Sequence, residues 1–245
     1  MSEILNSGKT IDAEKLSNIF FPKERVDVFL SHSHINEDFA IILAIALEKL
    51  GLSVFIDSCA WGYVGDLLKK IDNDHCWNED KKLYSYELRN QSTAHVYTIL
   101  HLALQRMIDS SELLLFLSTN ESIPLSDYIS SAQKTYSPWI SSELMFSSLV
   151  RRKYPEKNDF FVSPPIAEAA HDDFGFENLT MLHEAKTKHL HPKTLSELSR
   201  FILNELEEKS DSKIHALNAM YKKFRINDQI LDVQANTLNS ANKFG

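Results

Sequence analysis

The chain has 245 residues, 43% hydrophobic and 24% charged, an ordinary globular composition that allows one sizeable core with an appended helical piece. A net charge of −8 and a pI near 5.7 argue against general nucleic-acid binding, which relies on a basic footprint. The two cysteines, Cys59 and Cys76, make no disulfide framework, no secretory signal pattern is visible, and the longest apolar run, Phe39 to Leu47, is far short of the roughly 20 residues of a membrane span, so the expectation is a soluble, cytoplasmic protein that does not engage a membrane.

Residues 1–24 read as a polar N-terminal arm with one weak helical patch, Ile11 to Phe20, able to pack against the body. The core opens at Val26-Asp27-Val28-Phe29-Leu30-Ser31, a β-branched and aromatic run of strand length. Ser31-His32-Ser33-His34 forms a polar loop, and Asn36 ahead of Glu37 and Asp38 reads as a helix N-cap with acids in the first turn. Phe39, Leu43, Ala46, Leu47 and Leu50 recur at helical spacing up to Gly51, the expected C′ residue. Leu52 to Ile56 follows as a second strand, which a right-handed crossover makes parallel to the first. This βαβ opening predicts a doubly wound α/β domain whose ligands gather at the carboxyl ends of the strands. Loops 31–35 and 57–66 lie at those ends. The second carries Asp57, Trp61, Gly62 and Tyr63, the composition either of a ligand loop or of an edge loop folded back on the core.

Residues 72–91 are charged and aromatic and look like an insertion. His75 and Cys76 are adjacent, with no second ligand pair at zinc spacing, which argues against a structural metal site. A helix is expected over Thr93 to Met107, broken by Asp109-Ser110-Ser111, and Leu113 to Leu117 reads as a near-continuous apolar, central parallel strand. A loop over 119–136 precedes Ser137-Pro138, an N-cap with a first-turn proline. The helix that starts there runs past Trp139, Glu143, Phe146 and Val150 to the basic residues Arg151, Arg152 and Lys153, and Pro155 stops it. Trp139 and Glu143, four apart, share a helix face. Taken alone, that pair is a core aromatic and a solvated acid.

Phe160-Phe161-Val162 is a candidate fourth strand and Thr180-Met181-Leu182 a short fifth. Leu195, Leu198, Phe201, Ile202, Leu203 and Leu206 mark an amphipathic helix to about Lys209. Lys213 to Gln234 reads as one or two further helices in a mildly basic tail, either a solvated face or a partner-docking surface.

In this order the pieces resemble the Toll/interleukin-1 receptor (TIR) domain family, in its bacterial NAD-cleaving, Thoeris-like antiphage form. Asp27 to Ser33 looks like the family's first-strand signature and Gly51 to Asp57 its second strand; the loop through Trp61 and Gly62 falls at its BB loop. Asp109 to Ser118 is similar to the third strand, and Ser137-Pro138-Trp139 with Glu143-Leu144 matches a serine, tryptophan and glutamate-leucine pattern, although Ile140 stands where many members have Cys. The resemblance implies a flavodoxin-like, doubly wound parallel sheet of about five strands. The corresponding organisation is an arm over 1–24, a TIR domain over 25–209 with insertions near 72–91 and 119–136, and a helical extension over 210–245.

It further implies that Glu143 is catalytic in cleaving the N-glycosidic bond of NAD⁺, with Trp139 as a wall of the pocket and Ser31, His32, Asp57, Trp61, Gly62 and Tyr63 as substrate-binding candidates. NAD⁺ is then a substrate, with no separate cofactor or metal. An ADP-ribose-derived signal, such as a cyclic ADP-ribose isomer, is expected to reach a downstream effector, and self-association through TIR–TIR contacts to complete the site. The chemistry suits a single carboxylate: nicotinamide leaves a pyridinium as a neutral molecule and needs no general acid, whereas sugar glycosidases need two carboxyls. No acid partner for Glu143 is visible in the sequence. Three alternatives stand beside this reading: a non-catalytic TIR adaptor, a nucleoside deoxyribosyltransferase-like enzyme, and, least supported, a phosphorelay receiver.

Overall fold

In the computed structural model, residues 11–21, 23–58, 63–124, 133–150, 181–208 and 213–224 are described. The chain divides into two compact units, Met1–Ile41 with Val54–Thr187, and Ile42–Ser53 with Lys188–Gly245.

The first unit is mixed α/β. Its centre is β1 (Val28–Ser31), buried at every residue. β1 pairs in parallel with β2 (Val54–Ile56), Val28 opposite Val54, and on its other side with β5 (Leu113–Phe116), Val28 opposite Leu113. The order β2-β1-β5 makes β1 the central strand. β5, expected to be central, is only half-buried, and among the described residues it pairs on one side alone. The candidate strand at 160–162 lies outside the described residues.

Helix α1 (Ala13–Phe20) is capped by Asp12, which accepts from the amides of Glu14 and Lys15, and it brings Leu16 and Phe20 into the core. Asn36 is not the N-cap expected of the next helix. It ends a 3₁₀ turn (His34–Asn36) that runs directly into α2 (Glu37–Glu48), and its side chain is spent elsewhere. The Asn36 amide donates to Ser33 Oγ and, at 2.9 Å, to Thr119 Oγ1, tying the loop after β1 to the loop after β5.

Residues 72–91 are largely ordered secondary structure. After α3 (Val64–Ile71) comes a π turn (Asp72–Cys76), then a hairpin of β3 (Trp77–Asn78) and β4 (Leu83–Tyr84). Trp77 and Tyr84 meet edge to face at 4.9 Å, and Arg89 lies over Tyr84 while pairing with Asp72 at 2.7 Å. Helix α4 (Tyr86–Ser110) therefore starts well before Thr93: Ser85 caps it, and its first two turns carry no buried residue to mark a helical stripe. Its later face, Val96, Leu100, Ala103, Leu104 and Met107, joins Phe29, Leu67 and Ile71 in one core cluster. Each fully buried Leu or Phe there contributes roughly 2 kcal/mol relative to exposure.

β6 (Lys134–Thr135) precedes α5 (Pro138–Leu149), and β7 (His183–Glu184) pairs with β6 antiparallel. The fifth strand expected at 180–182 is thus displaced: Met181 and Leu182 are exposed and outside any strand. The residues that pair are the next two, where Ala185 N also reaches the Gln133 carbonyl at 2.9 Å.

In the second unit, Gly51 adopts φ 81°, the left-handed turn that a β-carbon would strain. Helix α6 (Leu195–Glu207) opens with a reciprocal capping box between Thr194 and Glu197, and α7 (Lys213–Phe224) packs on it through Phe201 and Phe224, 5.4 Å apart. Among the described residues, no helix is long and apolar enough to cross a membrane.

Candidate active site

Helix α5 begins as its sequence dictates. Ser137 Oγ accepts from Ile140 N at 3.2 Å, and Pro138 occupies the first turn. The buried face is then Ile140, Glu143 and Leu144, the i, i+3, i+4 pattern of a core stripe with a carboxylate in it. Glu143 has no exposed surface. The reading of a solvated acid is therefore overturned: the spacing that buries Ile140 and Leu144 buries Glu143 with them.

The helix is held on both flanks. Ser142 Oγ sits 3.3 Å from the His101 ring on α4, and Ser141 Oγ donates to the Glu184 carbonyl of β7 at 2.8 Å. Trp139 packs against α4, its ring 5.8 Å from Tyr97 and 6.2 Å from His101.

Opposite Glu143 are the carboxyl ends of β1 and β2. Ser31, the last residue of β1, donates its hydroxyl to Glu143 Oε2 at 2.5 Å. Asp57 follows β2 directly and is itself buried. Burial is the first cause that pushes the Glu143 carboxyl well above the usual carboxylate range; the charge of the neighbouring Asp57 adds to this, while the Ser31 hydroxyl pulls the other way. The acid partner that the sequence did not reveal is thus Asp57.

His32 is also buried, with Nε2 3.9 Å from Asp57 Oδ1 and Nδ1 2.8 Å from the Ser33 carbonyl. Among the described residues, His32 Nε2, Glu143 Oε1 and the hydroxyl of Ser58 are buried without a hydrogen-bond partner. Orphaned polar atoms are rare in folded proteins, and these three follow two adjacent strands or lie on the helix that meets them.

Ser31, His32, Asp57 and Glu143 are therefore brought together. Tyr63 instead packs against the core cluster, and Trp61 and Gly62 lie outside the described residues. Ser58 was missed, although its place directly after Asp57 at a strand end was a usable signal. Among the described residues, the group with ligand atoms close enough to share a metal ion is Glu205, Glu208 and His215 of the second unit, within 4.8 Å of one another. Glu205 Oε2 and His215 Nε2, 3.4 Å apart, already form an ion pair when the histidine is charged.

Neither family models, nor curated proteins, nor solved structures give a match to this chain.

Proposed function

We propose that the chain is a TIR-type enzyme that cleaves the N-glycosidic bond between nicotinamide and ribose in NAD⁺, and that its ADP-ribose-derived product, such as a cyclic isomer, acts as a diffusible signal in antiphage defence. The observation that carries this reading is Glu143, buried at the carboxyl edge of a parallel sheet, hydrogen-bonded to Ser31 and with one oxygen unpartnered. The strand order β2-β1-β5 supports it, because second-first-third is the opening order of a flavodoxin-like sheet, whose ligand site lies at the carboxyl ends beside the first strand.

In this mechanism the C1′–N1 bond breaks with both electrons passing to the pyridinium nitrogen, and nicotinamide leaves neutral. The ionised Glu143 carboxylate stabilises the positive charge that develops on the ribose. Ser31 holds that carboxylate by donating its hydroxyl. Water at C1′ then yields ADP-ribose, and an adenine nitrogen yields the cyclic product. Because Glu143 is closed to solvent, neighbouring groups have to part for the ribose to reach it. Self-association through TIR–TIR contacts belongs to the same reading and is tested by the dependence of specific activity on enzyme concentration.

The paired carboxyls favour a second reading. A nucleoside with a neutral base needs a protonated acid to assist its departure, and Asp57 beside Glu143 supplies two carboxyls at one place, as a nucleoside deoxyribosyltransferase-like reaction requires. One experiment separates the two: incubate the protein with NAD⁺ and, separately, with a deoxynucleoside plus a free base, and identify products by mass spectrometry. Nicotinamide release that Glu143→Gln abolishes supports the first reading, base exchange supports the second, and neither product leaves a non-catalytic adaptor.

A further inference from the structure

Helix α6 ends against the local rule. Its last turn holds Glu205 and Glu207, Glu208 caps it, and no basic residue stands in that turn, although the carbonyl end of a helix disfavours acids. Glu205 and Glu208 lie one turn apart on the same face. His215, in the first turn of α7, comes up to them, and one ligand atom from each of the three lies within 4.8 Å of the other two. The Glu205 side chain is only 13% exposed. Its Oε2 is sealed from solvent and, among the described residues, has no hydrogen-bond partner. That oxygen faces His215 Nε2 at 3.4 Å. The separation exceeds the length of a good N–H···O bond, about 2.7–3.2 Å. It matches instead the edge of a tetrahedron around zinc, where bonds of about 2.0–2.1 Å set neighbouring ligand atoms about 3.4 Å apart.

We propose that Glu205, Glu208 and His215 bind one zinc ion, which joins the end of α6 to the start of α7. The site is separate from Glu143 and independent of the N-glycosidic reading. Two carboxylates and a neutral imidazole supply three ligands, their charge balances that of the divalent ion, and a water completes four. The nitrogen donor sets the preference, because imidazole suits zinc whereas magnesium and calcium take oxygen ligands. Glu205, nearly enclosed, fixes where the ion sits, and the exposed side chains of Glu208 and His215 rotate to close on it. A protonated His215 pairs with Glu205 directly; zinc needs the neutral ring, so the metal takes the place of that proton. The far ends of the same two helices are already joined, Phe201 to Phe224 at 5.4 Å, with Lys193 over the Phe224 ring. Zinc therefore fastens the helical hairpin at its other end.

The test uses the full chain, stripped of metal with a chelator, dialysed, and titrated with zinc chloride by isothermal titration calorimetry. His215→Ala and Glu205→Gln are titrated beside the wild type, so that binding at any other histidine or cysteine is common to all three. Each variant is expected to bind zinc at least about tenfold more weakly than the wild type, since even the loss of a group that merely orients a ligand costs about 10–100-fold. His215→Cys, which keeps a zinc ligand at the same place, is expected to stay within about tenfold of the wild type. Hydrogen exchange gives a second readout: zinc should slow exchange across α7 in the wild type and leave His215→Ala unchanged. Three results overturn the inference: no zinc binding by the wild type, equal affinity in the wild type and His215→Ala, or displacement of the zinc by millimolar magnesium.

Discussion

Ser31 and Glu143, 112 residues apart in the chain, meet through a 2.5 Å hydrogen bond from the serine hydroxyl to a carboxyl with no exposed surface. One residue ends the central strand and the other sits in the buried stripe of a helix, so the contact joins the two elements that define the site. Its strength depends on the protonation of the acid, which makes pH the natural variable for testing it.

Replacing Glu143 by Gln is expected to stabilise the protein at neutral pH. The native carboxyl titrates above its ordinary value, so its contribution to stability is complete below the unfolded value of about 4.3 and is lost as pH rises through the native one. Over that window the wild type should lose up to about 1.4 kcal/mol per pH unit that the variant keeps. Urea denaturation at a series of pH values measures the difference; parallel profiles for the two proteins would remove the buried acid as its source.

The neighbours of Glu143 should move its titration in opposite directions. Ser31 favours the ionised form and Asp57 opposes it. If nicotinamide release needs ionised Glu143, Ser31→Ala shifts the acidic limb of the kcat/KM profile to higher pH and Asp57→Asn shifts it to lower pH. Shifts in the same direction would show that the two residues act by some other route.

Trp139 is held between α5 and α4 against Tyr97 and His101. Trp139→Ala is expected to cost about 2–3 kcal/mol, less than a fully buried tryptophan, while Trp139→Phe keeps much of the ring contact. Thermal melts of both variants decide; equal melting temperatures for Ala and wild type would show that the ring carries no packing load.

The Asn36 side chain links Ser33 to Thr119. Asn36→Ala removes both bonds and should destabilise the protein by about 1–2 kcal/mol. Hydrogen exchange is the sharper measurement, with faster exchange expected at Ser122 and Ile123, whose amides close the turn on Thr119.

Much of the first unit was legible in the sequence because local rules agree there. Ser137 with Pro138 marked the start of α5 and the apolar run at Val28 marked β1; in the second unit Gly51 marked a left-handed turn in the same way. The early start of α4 was hidden because its first turns face away from the core, so no apolar period announces them. Asn36 misled for a chemical reason: a side chain that caps helices well also bridges loops well, and Thr119 was waiting in a distant segment. The meeting of Asp57 with Glu143 could not be read at all. Each acid has an ordinary local setting, and only the packing of α5 over the strand ends sets one carboxyl beside the other.

The antiparallel pair Lys134–Thr135 and His183–Glu184 flanks α5, and the Glu184 carbonyl grips Ser141 two positions before the buried acid. A strand therefore steadies the helix of the buried acid through a backbone carbonyl alone. Shortening or lengthening the connection to residue 183 should be felt as a misaligned carboxyl long before it is felt as a lost fold, and variation in that stretch becomes a means of retuning turnover without touching a single chemical group.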